Sequence, residues 1–182
     1  MDCKDCEWWD DGCMLPDWDE CENRPPAHDN CQSCKLQSIC KKTKKMNNET
    51  LSALSENKNS DIRREIASNP YTPYEILLKL AHDKNCMVRM SVAQNINITV
   101  DILQKLSTDM YEGVRFYVAQ NSKTPSDMLA RMARNKSFAV RDNIITNPNT
   151  SIETLQFLTR CRDNRINTAA KEMLSKRMTN NI

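Results

Sequence analysis

The sequence is poor in glycine, in histidine and in long apolar runs. It has two glycines in 182 residues, Gly12 and Gly113. The P-loop and the dinucleotide-binding loop each need several glycines close together, so two distant ones exclude both motifs. The two histidines, His28 and His82, lie in different parts of the chain and indicate no Cys–His or Ser–His catalytic pair. We therefore expect a non-catalytic protein without a small-molecule substrate.

No stretch of the chain has the length and hydrophobicity of a secretory signal or a membrane span, because Met1 is followed directly by Asp-Cys-Lys-Asp-Cys. This composition predicts a cytoplasmic protein that does not enter a membrane. Cytoplasmic thiols stay reduced, so closely spaced cysteines there favour metal binding over disulfides.

Charge divides the chain into an acidic and a basic part. Residues 1–40 contain ten acidic and three basic residues, a net charge of −7, whereas residues 41–182 contain 23 basic and 14 acidic residues, a net charge of +9. Residues 41–45, Lys-Lys-Thr-Lys-Lys, lie at the boundary. We interpret them as a solvated basic hinge, with a phosphate-contacting role as the alternative.

Behind the hinge the sequence repeats itself with a 26-residue period. The tetrapeptide VAQN occurs at 92–95 and again at 118–121, and rows that begin at Ser60, Cys86, Glu112 and Phe138 align without an insertion. A fixed period of this length is typical of helical solenoids. The recurring columns are Ile62, Val88, Val114 and Val140; Arg63, Arg89, Arg115 and Arg141; Asn69, Asn95, Asn121 and Asn147; and Leu77, Leu103, Leu129 and Leu155.

Each row predicts two short helices. The asparagine falls where the first helix ends, and asparagine tolerates the left-handed conformation that often ends a helix. Thr72 and Glu75 match a capping box for the second helix, with Pro73 in its first turn. Thr124 with Asp127 and Thr150 with Glu153 repeat the pattern. The predicted order is a half repeat at 46–59, repeats at 60–85, 86–111, 112–137 and 138–163, and a C-terminal cap at 164–182.

The segment DIRREIASNPYTPYEILLKLAHDKN at 61–85 resembles the leucine-rich repeat variant family. The resemblance extends over residues 46–165, because the arginine, asparagine, Thr-Pro and Leu-x-x-Leu elements recur in order. It implies an all-α, right-handed superhelical solenoid in which α-helices alternate with 3₁₀-helices.

Residues 1–40 contain seven of the nine cysteines and form a second predicted module. Cys3, Cys6, Cys13 and Cys21 have the spacing C-x2-C-x6-C-x7-C and offer four thiolates, which suits a [4Fe–4S] cluster or a tetrahedral zinc ion. Some proteins with these variant repeats begin with a short cysteine-rich domain that binds a [4Fe–4S] cluster. The resemblance therefore implies an iron–sulfur module whose ligands are these four cysteines, with zinc as the alternative.

Three more cysteines follow at Cys31, Cys34 and Cys40. His28 could complete a second, Cys₃His zinc site with them, or Cys21 could join them and leave the first three spare. The spacing leaves both arrangements open. Cys86 and Cys161 stand alone among the repeats and are interpreted as packing or surface thiols.

The arginine column, Arg63, Arg89, Arg115 and Arg141, has two interpretations. Each guanidinium could bind a carboxylate or a helix-end carbonyl of an adjacent repeat, since Asp83 and Asp109 recur nearby. Alternatively, the column could bind the phosphates of a nucleic acid or an acidic protein.

Three functions are compatible with these features. The favoured prediction is a non-catalytic scaffold for a protein partner, with an iron–sulfur module that responds to redox state or iron supply. The others are a zinc-stapled nucleic-acid-binding protein and an electron-transfer accessory protein.

Overall fold

A computed structural model describes residues 47–179 of the chain, and all regular secondary structure in that range is α-helix. From α2 to α9, long helices of nine residues alternate with short helices of seven. The helices are α1 (Asn48–Ser55), α2 (Ser60–Ser68), α3 (Tyr74–Leu80), α4 (Cys86–Gln94), α5 (Val100–Leu106), α6 (Glu112–Gln120), α7 (Ser126–Met132), α8 (Phe138–Thr146), α9 (Ile152–Leu158) and α10 (Asn164–Thr179).

The helices recur with the period of the sequence. Each of the four long helices begins at the first residue of its row, α10 begins where a fifth row would begin, and α1 takes the place of the short helix in the half repeat. Each long helix packs against the long helix of the next repeat. The predicted all-helical repeat architecture is therefore confirmed. The short helices of these repeats are α-helices, not the 3₁₀-helices that the resemblance implied, and the handedness of the superhelix stays a prediction.

The interior is built from the apolar columns of the repeats. In the second repeat Val88 and Val92 of α4 and Leu103 of α5 have no exposed surface, and the equivalent residues of the other repeats are buried as well, except Ile62 of the first repeat, which is half-buried. Full burial of such a side chain contributes about 1.5–3 kcal/mol. Because a helix this short is marginal alone, each repeat depends on its neighbours to cover this interior.

The predicted capping boxes are wrong. The Thr72 hydroxyl donates to the Ile66 carbonyl at 2.5 Å, and the short helix α3 begins at Tyr74 without a side-chain cap. Thr124 donates in the same way to the Val118 carbonyl at 2.5 Å. Thr150 likewise donates to the Ile144 carbonyl. The threonine is buried in the turn, and its hydroxyl donates to a carbonyl in the last turn of the long helix that precedes it.

The left-handed asparagine is also wrong. The four asparagines have φ between −62° and −68° and ψ between 123° and 130°, which is extended backbone. Their side chains form a ladder between repeats. The Asn95 amide donates to the carbonyls of Ala67 and Asn69 at 2.7 and 2.9 Å, and its oxygen accepts from the Asn97 backbone. Equivalent bonds at Asn121 and Asn147 reach the preceding repeat.

The last step of this ladder is made by a different residue. The position one period after Asn147 is Met173, which has no amide to donate. Arg177 of α10 supplies the donors instead: its Nη2 lies 2.7 Å from the Asn147 carbonyl, and its Nη1 donates to the Thr150 carbonyl. The helix α10 therefore covers the last of the described repeats.

Candidate functional site: the turn edge of the repeats

The arginine column lies beside the turns that lead from each short helix to the next long helix. We call the residues 81–85, 107–111, 133–137 and 159–163 the turn edge. Arg63 of α2 is 6% exposed and binds Asp83 of this edge with two bonds, Nε to Oδ2 at 2.5 Å and Nη2 to Oδ1 at 2.9 Å. Its Nη1 donates to the carbonyls of Asn57 and Lys58 at 2.7 and 3.1 Å. All three guanidinium nitrogens are thus engaged within the chain.

The second repeat repeats this arrangement. Arg89 binds Asp109 through Nε at 2.6 Å and Nη2 at 2.9 Å, and its Nη1 donates to the Asp83 carbonyl at 2.7 Å. Burial alone would raise the pKa of the Asp109 carboxyl. Hydrogen bonds from Arg89 and from the Tyr111 backbone, with the charge of Arg89, nevertheless lower that pKa below its ordinary value. The pKa of Asp83 is lowered for the same reasons, by Arg63 and the Asn85 backbone.

The third and fourth repeats lack the aspartate. The residue twenty positions after Arg115 is Asn135, and the one twenty positions after Arg141 is Cys161. The Nε atoms of both arginines are buried without a hydrogen-bond partner. Arg115 keeps backbone contacts to Asp109 and Met110.

Arg141 reaches a carboxylate only at a distance. Its Nη2 lies 3.8 Å from Asp163, which is beyond hydrogen-bonding range. That carboxylate is held more closely by Arg165, at 3.1 Å. The structure thus shows the internal contacts proposed for the arginine column in full at its first two members and in part at the last two. A role of the column in binding a partner stays a prediction.

Sequence reasoning missed a second cationic column on the same edge. The residue five positions before each arginine is Lys58, Lys84, Met110 or Lys136, and Arg162 continues the series. All five side chains are exposed, and Met110 is 91% exposed. The repeat period contains this signal, but Met110 interrupts it and makes it less regular than the arginine column.

The two halves of the described chain differ in charge. Residues 47–111 have seven basic and eight acidic residues, a net charge of −1, whereas residues 112–179 have 12 basic and six acidic residues, a net charge of +6. The basic character of the repeats is therefore concentrated in the C-terminal half.

The predicted metal ligands lie outside the described residues. This applies to Cys3, Cys6, Cys13 and Cys21, and equally to His28, Cys31, Cys34 and Cys40. Within residues 47–179 no three His, Cys, Asp or Glu side chains are grouped so that they could hold a metal ion. Cys86 and Cys161 are free thiols of intermediate exposure, as expected for packing or surface positions.

None of the helices between residues 47 and 179 has both the length and the apolar composition that crossing a bilayer requires.

Comparison with known proteins gives one structural likeness. No protein-family model matches the chain. No curated protein matches it either. The chain is similar to a solved structure described as a leucine-rich repeat variant with a novel repetitive protein structural motif, at a TM-score of 0.40 and 23% sequence identity. The match covers 71% of this chain and 62% of that one, so this chain spans less than two thirds of that protein's length.

Proposed function

We propose that this chain is a non-catalytic scaffold that binds a protein partner through its helical repeats and holds a [4Fe–4S] cluster in residues 1–40. The observation that carries the scaffold is the self-sufficient interior of the repeats. Inside the array the apolar columns bury one another. The asparagine ladder and the first two arginine–aspartate pairs form their hydrogen bonds and ion pairs with other residues of the array. The exposed side chains of the turn edge are left for contact with another molecule.

The cluster proposal is supported by the chemistry of the donors. Four cysteine thiolates are the ligand set that a [4Fe–4S] cluster takes, and Cys3, Cys6, Cys13 and Cys21 supply four in one short segment of the sequence. When bound, such a cluster supplies reversible one-electron redox chemistry. Through it the scaffold would respond to redox state or iron supply in the cytoplasm.

Metal analysis of the full chain tests the cluster. After anaerobic purification we expect about four iron and four sulfide per chain. The variant Cys3→Ser with Cys6→Ser should lose the metal while the repeats keep their helical circular dichroism. The matched control, Cys86→Ser with Cys161→Ser, removes the two cysteines of the repeats and should keep it. Stoichiometric zinc without iron would replace the cluster by a zinc site, and the lack of both metals would refute the metal module.

Site-specific cross-linking tests the scaffold. A photoreactive amino acid at the exposed Lys136 samples the turn edge, and one at the exposed Tyr74 samples the other turn of the repeat. We expect covalent adducts with protein from at least one position in cells that make the chain. A chain that cross-links to no protein from either position would contradict the scaffold.

A second candidate is a zinc-stapled nucleic-acid-binding protein. It is favoured by the net charge of +6 on residues 112–179, because phosphate contacts are made by clustered lysine and arginine side chains. A salt titration of binding to mixed RNA and DNA distinguishes it from the scaffold.

A further inference from the structure

The last two turns of the turn edge share a substitution pattern that the first two lack. In the first two turns, the central aspartate lies between His82 and Lys84 or between Thr108 and Met110. In the last two turns, the central residue is Asn135 or Cys161, and a cation stands on each side of it. These four flanking residues are Arg134 and Lys136, and Arg160 and Arg162. The third turn therefore contains no acid, and the acid of the fourth turn lies two residues later, at Asp163, where it binds Arg165 at 3.1 Å. In both turns the central residue stands between two bases.

The four flanking cations are available to a ligand. All four are exposed, and across residues 47–179 none of them takes part in an ion pair. Arg134 lies over the Phe157 ring at 5.9 Å, which leaves its guanidinium donors open. One carboxylate does reach the third turn: Glu112 accepts from the Ser137 hydroxyl at 2.6 Å. That contact engages a hydroxyl and none of the cations.

The arginines beneath these turns add positive potential. Arg115 makes no ion pair among the described residues, although its charge helps to lower the pKa of the Asp109 carboxyl, and Arg141 lies 3.8 Å from Asp163 without a hydrogen bond to it. Neither guanidinium has the two-bond carboxylate contact that Arg63 and Arg89 make, and the Nε of each is buried without a hydrogen-bond partner, so both charges are less fully compensated than in the first two repeats. The two turns and the two arginines together form what we call the open-acid patch, defined by Arg115, Arg134, Lys136, Arg141, Arg160 and Arg162.

We infer that the open-acid patch binds an acidic segment of a protein partner; the inference rests on the proposed scaffold function and names the partner's chemistry. The first two repeats show which group this edge accepts, because Asp83 and Asp109 sit there as carboxylates against the same arginine column. Glutamate or aspartate side chains of a partner would supply the missing acids at the last two turns.

The distribution of charge favours a protein over a nucleic acid. Nucleic-acid affinity grows with the number of phosphates neutralised, so a nucleic-acid surface is expected to be basic along the array. Here the first half of the described array is net −1, and the turns that carry two exposed, unpaired cations each are the last two of the turn edge. A short acidic segment matches that extent.

Binding of two probes to the full, anaerobically purified chain tests the inference. The probes are a fluorescein-labelled poly-glutamate peptide and a labelled single-stranded RNA, followed by fluorescence anisotropy over a range of salt. The variant in which Arg134, Lys136, Arg160 and Arg162 are all changed to Gln should bind the peptide about tenfold more weakly. The matched control, Lys58→Gln with Lys84→Gln, changes exposed lysines on the aspartate-containing side and should bind as the wild type does.

A second variant separates loss of binding from loss of folding. The variant Asn135→Asp with Cys161→Asp places carboxylates at the two positions that correspond to Asp83 and Asp109. It should raise the thermal midpoint and weaken peptide binding together, whereas a damaged fold would lower the midpoint. Unchanged peptide binding in this variant would count against the inference.

Other results overturn the inference as well. One is an equal loss of peptide affinity in the Gln variant and in the lysine control. The others are tighter binding of the RNA than of the peptide at the same salt, and no binding of the peptide to the wild-type chain. If the peptide fails but cross-linking from Tyr74 still captures a protein, the scaffold stands and only the open-acid patch is wrong.

Discussion

The arginine column has different partners in the two halves of the described array. In residues 47–111 the arginine of each long helix is held by a largely buried aspartate, whereas in residues 112–179 an asparagine or a cysteine stands at the sequence position of that aspartate. The asparagine ladder and the apolar columns continue through both halves. The fold therefore depends on the apolar and asparagine columns, which recur in both halves. The arginine–aspartate ion pairs stabilise some repeats, and others lack them.

The largest expected difference between the halves is the cost of removing an arginine. Arg89→Ala leaves the Asp109 carboxylate, which is 9% exposed, without its partner and should lower the free energy of unfolding by about 3 kcal/mol. Arg115→Ala removes backbone hydrogen bonds only and should cost about 1 kcal/mol. Urea denaturation of both variants measures the difference, and equal costs would show that the pair does not stabilise the first half.

The asparagine ladder should not distinguish the halves. Asn95→Ala and Asn147→Ala each remove two hydrogen bonds to carbonyls of the preceding repeat, so each should cost about 2 kcal/mol. Asn69→Ala should cost less, because the Asn69 amide nitrogen is buried without a partner. The same denaturation experiment applies, and an Asn69 variant as unstable as the other two would contradict the ladder as the source of the effect.

A carboxylate in the second half should make it resemble the first. Asn135→Asp gives Arg115 the acceptor that its buried Nε lacks and should raise the free energy of unfolding by about 1 kcal/mol. The gain should vanish in an Arg115→Gln background, which a double-mutant cycle would reveal. A gain that survives this background would have to come from the helix terminus and not from the arginine.

Low pH should destabilise the first half of the array through Asp83 and Asp109. The pKa values of Asp83 and Asp109 are lowered in the folded state, so the stability from these pairs is present above the unfolded pKa of about 3.9 and is lost as pH falls through the lower folded values. Unfolding free energies measured from about pH 6 downward should therefore decline below about pH 4. The variant Asp109→Asn should be less stable at neutral pH, and its free energy of unfolding should decline less steeply as pH falls. An unaltered pH dependence would show that Asp109 does not contribute to the acid sensitivity.

Much of the fold could be predicted from the sequence because the apolar columns recur with a fixed period, and the helices follow them. The arginine–aspartate pairs were also foreseeable, since Asp83 and Asp109 recur beside the column. The roles of Thr72 and Asn95 were not, because both bond to carbonyls that local helix rules do not consider. The asparagine bonds connect one repeat to the one before it, and only packing of the two repeats creates them.

The site was harder to predict than the fold. A cation column recurs on the turn edge, but its meaning depends on which side chains are exposed and which are paired. Exposure separates Lys136 and Arg162 from the buried Arg63 and the largely buried Arg89, although all four are cations that recur with the same period. The predicted cysteine ligands lie outside the described residues and stay a prediction.

Arg177 has a practical meaning for anyone who would lengthen this protein. Its Nη2 binds the Asn147 carbonyl, which is one of the two carbonyls that the asparagine of a following repeat would bind, so a specific contact blocks the next docking position. A further repeat inserted before α10 would leave the Arg177 contact intact. A repeat added after α10 would first require Arg177 to be replaced. The natural place for growth is therefore within the stack.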